Sequence, residues 1–555
     1  SERKAKAEER KQLEHAIVMR KHFTHKGALS SSEMVINSRH ILSVLPKVVK
    51  YYPRQPDLAS VGLTISHPFG VLFHHWEELE RFEEEEDLDA TTRLHLNFLL
   101  SVLDSECKEE RKRLTRITST GHITFSLLWC IYKPGDLVYA PGKNELYRFT
   151  DFMYDADPMG DYFCAMIERS NFDGVKAGRE STSLRVYERE LGGSKGIKAI
   201  TNLKFFPLKF TTSEFQQQIV AECTARGLRS RALRDVTVKR YSGAVEALRR
   251  PPHEFFSADR SDYSGQLIEA TVEGRVIIDA LGFHEENYGY RPTQTWESDD
   301  PSLLPRDVFG FAPGGKLWCR LNVDLIRDPV WDSDAFGKLV LPNAPKRVIK
   351  ALASSHQWPE GSTRDAQAAK GKGLVILLHG APGTGKTMTA ETVAEHTNRA
   401  LVVISSGELG TEVDQINSNL DSFLQNAARW KAVVLIDEAD VFLEKRLSHG
   451  ANRLEQNGLV AVFLRHLEYF QGILFLTSNR DKDFDPAIKS RIHLSLKFSP
   501  PDRRTRQTLW KQALSAIPPE EVGYDLEAVL ELVDDMDLNG REISNAIRTM
   551  RTLAR

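Results

Sequence analysis

The stretch HGAPGTGKTMTAETVAEH, residues 379–396, places three glycines around one lysine and continues as a run that favours a helix. The residues before it, LVILL at 374–378, form an uninterrupted apolar run, which is typical of a strand buried on both faces of a parallel sheet. Because glycine lacks a Cβ, such a loop lets backbone amides curl around an anion, and the N-terminus of the next helix adds further amides. The stretch therefore predicts a strand, a phosphate-binding loop and a helix.

The loop fits the whole pattern GxxxxGK[ST] from Gly380 to Thr387. In a loop of this kind Lys386 would reach the β- and γ-phosphates of ATP, and the Thr387 hydroxyl would bind Mg²⁺. ATP and Mg²⁺ are therefore the expected cofactors. The residues expected to line the nucleotide are Gly380, Ala381, Pro382, Gly383, Thr384, Gly385, Lys386, Thr387 and Met388.

A second apolar run, VVLIDEAD at 433–440, ends in two carboxylates. We expect Asp437 to hold Mg²⁺, directly or through water, and Glu438 to orient or deprotonate an attacking water. A kinase that transfers phosphate to a bound substrate has no need of a base beside a lytic water, so this pair favours hydrolysis. Two exposed acidic residues at the end of a strand are the alternative interpretation.

The run GILFLTSNR, residues 472–480, predicts a third strand that ends near Asn479. If the strand order follows related folds, Asn479 lies between the ends of the first two strands, where it could contact the γ-phosphate or the lytic water. Arg491 precedes a fourth strand within FDPAIKSRIHLSLKF, residues 484–498. A lone arginine is usually only solvated, but in this context it could be an arginine finger that reaches the nucleotide of a neighbouring subunit.

A near repeat of the phosphate loop occurs in GFAPGGKL, residues 310–317, where Leu317 stands in the place of the hydroxyl that would meet Mg²⁺. The residues after it, WCRLNVDLI, favour a strand, whereas a phosphate loop needs a helix that aims its N-terminal amides at the anion. We therefore interpret this stretch as a turn between two strands.

Composition sets further limits. The chain has 555 residues, enough for several domains, and its 74 basic and 77 acidic residues give a net charge of −3. That balance provides no general attraction to nucleic acid or to an anionic membrane. The five cysteines lie far apart without a CxxC pair, which favours a reducing compartment, so an intracellular location, cytoplasmic or nuclear, is expected. No apolar run approaches the ~18 residues of a membrane-spanning helix.

Changes of pattern along the chain indicate several regions. Short runs rich in β-branched and aromatic residues predict a β-rich α+β region. The region after it is expected to be α/β, a parallel sheet with a helical lid. The predicted regions are 1–40 (charged tail or helix), 41–345 (N-terminal partner-binding region), 346–373 (linker), 374–500 (core with the phosphate loop) and 501–555 (helical lid).

The phosphate loop, the carboxylate pair, the TSNR sequence and the following arginine occur in the order and spacing of the AAA ATPases, within the wider AAA+ class. Residues from about 370 to 555 resemble that family. The resemblance implies a P-loop NTPase sheet, a small helical lid and a ring, commonly of six subunits, with ATP between neighbours. Arg541, which opens the last helix, is placed like a second-sensor arginine of the family.

A narrower resemblance covers most of the chain. Further segments are similar to a fungal-type AAA subfamily whose members carry a large N-terminal domain of unknown function, and it implies no particular substrate. The segments are GHITFSLLWCIYKPGDLVY (121–139), WDSDAFGKLVLP (331–342), SSGELG (405–410), DEADVFLEKR (437–446), VFLRHLEYFQGILFLTSNR (462–480) and SRIHLSL (490–496).

Two features depart from the wider family. Many members have a second arginine three residues after the first, and Leu494 occupies that place here, so activation of a neighbour would rest on Arg491 alone. Many members also carry an aromatic residue in a loop that faces a central pore. The corresponding segment, residues 408–423, has no aromatic before Phe423, which we expect to pack in a helix core. This departure argues against threading of polypeptide by an aromatic side chain.

Three functions fit these observations. The first is an ATP-hydrolysing oligomer that remodels a protein partner chosen by the N-terminal region. The second is a nucleotide-gated scaffold or switch with slow hydrolysis, which the missing pore aromatic favours. The third is a nucleic-acid motor, which the basic stretch RGLRSRALRDVTVKR, residues 226–240, would serve through phosphate contacts. The near-neutral net charge and the lack of a known nucleic-acid module weigh against the third.

Overall fold

The chain folds as two compact units, of which one comprises Ser1–Ala232 with Arg291–Arg306 and the other Leu233–Tyr290 with Asp307–Arg555. The computed structural model describes residues 14–24, 29–50, 52–53, 55, 57–193, 195–249, 266–287, 294–296, 300–356, 358, 373–410, 412–443, 453–480, 484–518, 523 and 525–554.

Both units mix strands and helices. The strands in chain order are β1 (Ile17–Phe23), β2 (Leu29–Ile36), β3 (Leu63–Ser66), β4 (His122–Thr124), β5 (Leu137–Ala140), β6 (Glu145–Asp157), β7 (Gly160–Phe172), β8 (Ala177–Tyr187), β9 (Ile197–Ala199), β10 (Phe206–Pro207), β11 (Thr237–Arg249), β12 (Gln266–Ile278), β13 (Gln294–Trp296), β14 (Asp307–Ala312), β15 (Leu317–Asn322), β16 (Ile326–Arg327), β17 (Leu374–Gly380), β18 (Leu401–Ser405), β19 (Val433–Asp437), β20 (Ile473–Ser478) and β21 (Leu494–Phe498). The α-helices are α1 (Arg39–Val48), α2 (Gly70–His74), α3 (Trp76–Glu85), α4 (Ala90–Thr118), α5 (Leu128–Ile131), α6 (Ser213–Ala232), α7 (Ala280–Glu286), α8 (Ala335–Lys338), α9 (Asn343–Ser355), α10 (Lys386–His396), α11 (Val413–Arg429), α12 (Asp440–Leu443), α13 (Arg453–Tyr469), α14 (Pro486–Lys489), α15 (Arg503–Ser515), α16 (Leu526–Val533) and α17 (Gly540–Ala554).

The N-terminal unit is built around antiparallel sheets, as predicted for a β-rich α+β region. Its larger sheet has the order β10-β5-β6-β7-β8-β13, and a smaller sheet has the order β1-β2-β3. In the long strands β6 and β7, Leu146, Phe149, Phe163 and Ile167 are fully or nearly fully buried, whereas most of β8 is only partly buried or exposed. The unit therefore has a substantial core of its own.

The long helix α4 contributes an apolar stripe to that core. Asp89 begins the helix by accepting a hydrogen bond from Thr92 N at 2.9 Å. Leu96, Leu99 and Leu103 follow at spacings of three and four residues and are fully buried, which is the pattern of a helix with one covered face.

The first forty residues differ from the predicted charged tail or helix. Residues 17–36 contain the paired strands β1 and β2, and Met34 and Ile36 are fully buried. The charged residues 1–13, which suggested a tail, lie outside the described part of the chain. The strand β1 that follows them is partly buried at best and only 7 residues long, so it is too short to stand out by periodicity.

A buried histidine makes the N-terminal unit sensitive to acid. His74 Nε2 donates to Trp129 O at 2.9 Å, and its Nδ1 accepts from Tyr52 Oη at 3.1 Å. Burial lowers the pKa of His74 to about 3, because the core disfavours the charged ring.

Between pH 6.5 and 3 the unfolded chain binds a proton at His74 that the folded unit excludes, so stability falls as the pH falls. We expect a loss of about 1.4 kcal/mol per pH unit in this window from this group. Denaturant unfolding of wild type and His74→Gln from pH 7 to 4 checks this, because the variant should show a shallower loss. Parallel pH profiles would contradict it.

In the second unit, β17 lies inside a parallel sheet with the order β18-β19-β20-β17-β21. Alternate residues of β17 enter two cores: Val375 and Leu377 pack with α11 and α13, whereas Ile376 and Leu378 pack with α9 and α10. Both faces are therefore covered, which explains the uninterrupted apolar run. The order places β20 between β17 and β19, as required for the predicted position of Asn479.

An antiparallel sheet lies in the same unit as the parallel sheet, which differs from the predicted boundary at residue 345. Its order is β12-β14-β15-β11-β16, and β11 also pairs with β12, so four strands close into a small barrel. Residues of the barrel strands and of α7 share a core with the parallel-sheet region. The first group comprises Leu248, Ile277, Phe283, Phe309 and Trp318, and the second comprises Ala400, Val402, Trp430 and Ala432. An alternating strand pattern indicates that one face is buried but not which neighbour covers it, so the sequence placed these strands with the N-terminal region.

One buried carboxylate fixes the small barrel to the parallel-sheet region. Asp279 is 1% exposed; it accepts hydrogen bonds from Trp430 Nε1 at 2.7 Å, from Arg429 Nη1 at 3.3 Å and from Gly282 N at 2.8 Å. Replacing it by alanine leaves buried donors without an acceptor, and loss of one partner of a buried ion pair costs about 3–5 kcal/mol.

We therefore expect Asp279→Ala to lower the unfolding temperature of the second unit markedly. The matched control is Asp328→Ala, which removes a carboxylate that pairs with Lys239 at 2.6 Å but is 88% exposed; such surface pairs contribute about 0–1 kcal/mol. Differential scanning calorimetry checks the difference. Equal transitions for the two variants would contradict the shared core.

The predicted linker and lid fall on described helices in part. Helix α9 occupies 343–355 and buries Ile349 and Ala353 against the sheet, so the first part of the predicted linker, 346–355, is packed helix. Residues 359–372 lie outside the described part. The lid region contains α15, α16 and α17, whose apolar faces meet around Trp510 and Ile543. None of the helices in the described ranges is long and apolar enough to span a membrane.

Candidate active site

The phosphate loop leaves β17 and enters α10, as the sequence predicted. Gly380, Gly383 and Gly385 have φ values of 137°, 73° and 98°, which residues with a Cβ rarely adopt. A Cβ at Gly380 would also overlap Phe498 O on the neighbouring strand. All three positions therefore favour glycine for conformation, and Gly380 also needs it for the close approach of β21.

Lys386 lies at the centre of the loop and is 7% exposed. Its Nζ donates to Gly380 O at 2.7 Å, to Ala381 O at 2.8 Å and to Asn479 Oδ1 at 3.0 Å. Burial lowers the pKa of Lys386, and the nearby carboxylates of Asp437 and Asp440 oppose that shift. The ammonium is thus held by acceptors that a phosphate oxygen can replace.

Other loop residues take distinct positions. Thr384 Oγ1 donates to Ala381 O at 2.8 Å, which closes the turn of the loop. Thr387 lies half-buried in the first turn of α10, whereas Pro382 and Met388 are exposed. Thr387 supplies a hydroxyl oxygen and Asp437 a carboxylate, and these are the hard oxygen ligands that Mg²⁺ prefers.

The carboxylate pair ends β19 next to β20. The hydroxyl of Thr477, on β20, donates to Asp437 and accepts from Glu438 N, the latter at 2.9 Å. Glu438 has φ 54°, a left-handed conformation that is unusual for a residue with a side chain, and it is exposed. The turn therefore aims the two carboxylates differently: Asp437 is bound at the sheet edge, and Glu438 is free to face solvent.

Asn479 occupies the place predicted for it. It follows β20 directly, and its Oδ1 lies 3.0 Å from Lys386 Nζ. Because that lysine would bind the terminal phosphates, Asn479 is positioned to contact the γ-phosphate or a water beside it.

Thr477, Ser478 and Asp440 are site residues that the sequence analysis did not single out. Ser478 is fully buried and donates from Oγ to the carboxylate of Asp440, which in turn is one of the charges acting on Lys386. The signal was present, because two hydroxyl residues precede Asn479 on a strand that is otherwise wholly apolar. Their role could not be inferred from the sequence, because it depends on which strand lies beside β20.

Arg491 is not in contact with the phosphate loop of its own chain. Its Nη1 donates to Ala487 O at 3.0 Å and its Nη2 to Glu468 Oε2 at 3.0 Å. The side chain is 31% exposed. The structure therefore ties Arg491 to α13 and α14 and does not bring it together with the other predicted site residues.

Arg541 lies beside the phosphate loop at the start of α17. Gly540 N donates to Gly383 O at 3.0 Å, and the positive charge of Arg541 is among the causes that lower the pKa of Lys386. Asn539 begins the helix by accepting from Arg541 N and Glu542 N, each at 3.0 Å. The lid thus contacts the loop through its backbone and places an arginine near Lys386.

The two remaining interpretations from the sequence agree with the structure. Residues 310–317 cover the end of β14, the turn at 313–316 and the start of β15, and Lys316 makes an ion pair with Glu408 where a phosphate-loop lysine would face an anion. Phe423 lies within α11, half-buried against two hydrophobic cores.

The order of the parallel strands, the glycine-rich loop after β17 and the polar residues at one edge of the sheet together indicate a P-loop nucleotide-binding domain. Residues 376–500 match the family model of the ATPase family associated with various cellular activities (AAA), and residues 113–212 match a domain of unknown function, DUF7025. The chain therefore carries an AAA ATPase domain preceded by a DUF7025 domain.

The chain is similar to proteins named for an AAA domain and to proteasome regulatory subunits. The ATPase family AAA domain-containing protein 3 of Caenorhabditis elegans is 29% identical over 61% of this chain and 57% of its own length. The human ATPase family AAA domain-containing protein 3B is 32% identical over 30% of this chain and 28% of its own. The 26S proteasome regulatory subunit 6B homolog of Dictyostelium discoideum is 31% identical over 31% of this chain and 44% of its own. The chain thus spans at most 57% of the length of these relatives.

Proposed function

We propose that this protein binds ATP with Mg²⁺, hydrolyses it, and works as a ring-forming oligomer that remodels a protein partner. The observation that carries the proposal is the convergence of Lys386, Asn479 and the Asp437–Thr477 pair at one edge of the sheet. The AAA match over 376–500 supports the same chemistry.

Each site residue has a distinct role in the proposed hydrolysis. Lys386 and the amides of the loop bind and orient the β- and γ-phosphates, and Mg²⁺, held by Thr387 and Asp437, would neutralise charge on their oxygens. Glu438, turned towards solvent by its backbone, accepts a proton from the attacking water. Asn479 positions that water or the γ-phosphate, and Arg491 of a neighbouring subunit stabilises the charge of the transition state.

A ring is proposed because Arg491 lies away from its own phosphate loop. AAA domains commonly assemble as hexamers, and in a ring the finger of one subunit would reach the nucleotide of the next. Arg541 would sense the nucleotide through the contact between α17 and Gly383. An intracellular location, cytoplasmic or nuclear, is part of the proposal, supported by five buried free thiols.

A nucleotide-gated scaffold is the second candidate function. It is favoured because helix α11 has no aromatic residue before Phe423 that could grip a polypeptide passing through a pore. A nucleic-acid motor is disfavoured by Arg226 in the basic stretch, which is buried and donates from Nη2 to Asn144 O at 2.7 Å. That guanidinium is committed to the protein interior and supplies no phosphate contact.

The test separates remodelling from scaffolding. Tagged Glu438→Gln, held in ATP, and Lys386→Ala, as the nucleotide-free control, are used to capture partners, and any protein enriched on the first is purified. Adding it to wild-type protein should raise ATP turnover if the partner is remodelled. A bound partner that leaves turnover unchanged would favour the scaffold, and enrichment of nucleic acid would favour the motor.

A further inference from the structure

We propose that Glu468 is the positioning residue of the arginine finger: it orients Arg491 so that its guanidinium meets the nucleotide of the neighbouring subunit. The inference rests on the proposed function, in which Arg491 acts on another subunit. Nothing in the sequence pattern marks Glu468, which lies near the end of α13 among apolar residues.

The contacts of Arg491 come from two separate elements. Glu468 Oε2, on α13, accepts from Nη2 at 3.0 Å, and Ala487 O, on α14, accepts from Nη1 at 3.0 Å. Each Nη nitrogen carries two N–H groups, so each keeps a second donor after these bonds are made. The side chain is 31% exposed, so the guanidinium is held in place and still has donors that can bind a phosphate.

Both supports are themselves anchored. Asp485 caps the N-terminus of α14 because its Oδ1 accepts from Ala487 N at 2.8 Å, and Ile488 within the helix is fully buried. Helix α13 is fixed by buried residues that precede Glu468, among them Phe463 and Leu467. The guanidinium is therefore tied to two packed helices instead of to a loop.

Orientation matters more here than where two arginines are present. A free arginine side chain samples many rotamers, and fixing it beforehand reduces the entropy lost when it binds a phosphate. Leu494 occupies the place of a second arginine, so no other guanidinium from that turn can compensate for a misplaced Arg491.

A positioning role and a purely structural role of Glu468 predict different outcomes. If Glu468 were only structural, its removal would change the unfolding temperature or ring assembly. The Glu468 carboxyl side chain is 24% exposed, and a partly solvated pair of this kind adds little to fold stability. The effect of its removal should therefore appear in the turnover of the neighbouring subunit, with the unfolding temperature and ring assembly unchanged.

The experiment isolates the finger by mixing two kinds of subunit. Acceptor subunits carry Arg491→Ala and have an intact nucleotide site but give no finger. Donor subunits carry Glu438→Gln, so they bind ATP and supply a finger but do not turn ATP over. Hydrolysis in the mixture comes only from acceptor sites next to a donor, and it is compared between donors with and without a second change at Glu468.

Adding Glu468→Ala to the donor should lower the rescued turnover at least about tenfold, the effect of losing one charge-assisted hydrogen bond. The KM for ATP, which reports the unchanged acceptor site, should stay the same. Glu468→Gln keeps one carbonyl acceptor and should restore part of the rate. Glu531→Ala, a change at an exposed glutamate of α16, should leave the rescue intact.

Equal rescue by donors with and without Glu468→Ala would overturn the inference while leaving the finger itself supported. A loss accompanied by failed ring assembly, which Glu468→Gln shares, would also overturn it in favour of a structural role. If the donor without any change at Glu468 gives no rescue, the action of Arg491 on a neighbour fails first, and the inference fails with it.

Discussion

Glu438→Gln is expected to slow ATP hydrolysis by about 10²–10⁴-fold while leaving ATP affinity nearly unchanged. Glutamine preserves the shape of the side chain but cannot accept the proton of the attacking water. The change does not disturb the backbone, because the left-handed φ of 54° and the hydrogen bond from residue 438 N to Thr477 do not involve the carboxylate.

Phosphate release under saturating ATP measures the loss, and equilibrium binding of a fluorescent ATP analogue measures affinity. Glu531→Gln, which removes an exposed carboxylate from the lid, is the control and should behave as wild type. Turnover near the wild-type rate in Glu438→Gln would show that another group serves as the base.

Lys386→Ala is expected to weaken ATP binding about 10–100-fold or more. A hydrogen bond to a charged group is worth about 1.5–3 kcal/mol, and Lys386 offers such bonds to the terminal phosphates from a nearly fully buried position. The variant also loses the bonds from Nζ to Gly380 O and Ala381 O, which help to shape the loop.

The chain contains its own matched control for this experiment. Lys316 stands in the near repeat of the phosphate-loop pattern but lies in a turn between strands and pairs with Glu408. Lys316→Ala should therefore leave nucleotide affinity unchanged. If both lysine variants bind ATP as well as wild type in isothermal titration calorimetry, the site at 380–388 is not where ATP binds.

Most residues of the candidate site were accessible from the sequence because they lie at the end of an apolar run or in the loop that follows it. In a parallel sheet such positions collect at one edge, so Lys386, Asp437 and Asn479 could be placed together before any coordinates. The structure supports that placement directly for Lys386 and Asn479, which lie 3.0 Å apart. Arg491 was identified differently, from its place before β21, and its proposed contact with a neighbouring subunit stays a prediction.

The small barrel could not be assigned from the sequence. Strand patterns in 237–327 show that one face is buried, yet the core that buries it includes Trp430 and Val402, far along the chain. The polar link to Asp279 is equally non-local, since Arg429 and Trp430 lie at the end of α11. Periodicity in a sequence indicates local secondary structure but does not indicate which distant residues pack together.

Supporting residues were missed for a related reason. Neither Thr477 nor Glu468 is proposed to bind phosphate. Thr477 instead holds Asp437, and Glu468 holds Arg491. Threonine on a strand and glutamate on a helix are ordinary at those positions, so neither attracts notice until the neighbouring element is known.

The central claim is that one site, built from the loop at 380–388 and from Glu438, binds ATP and breaks it. The most direct test is to incubate wild type, Glu438→Gln and Lys386→Ala with ATP and Mg²⁺, remove free nucleotide by rapid gel filtration, quench in acid and identify the retained nucleotide by chromatography. The account predicts ADP on wild type, intact ATP on Glu438→Gln and almost no nucleotide on Lys386→Ala. ADP on Glu438→Gln in the wild-type amount, or ATP retained by Lys386→Ala, would contradict it.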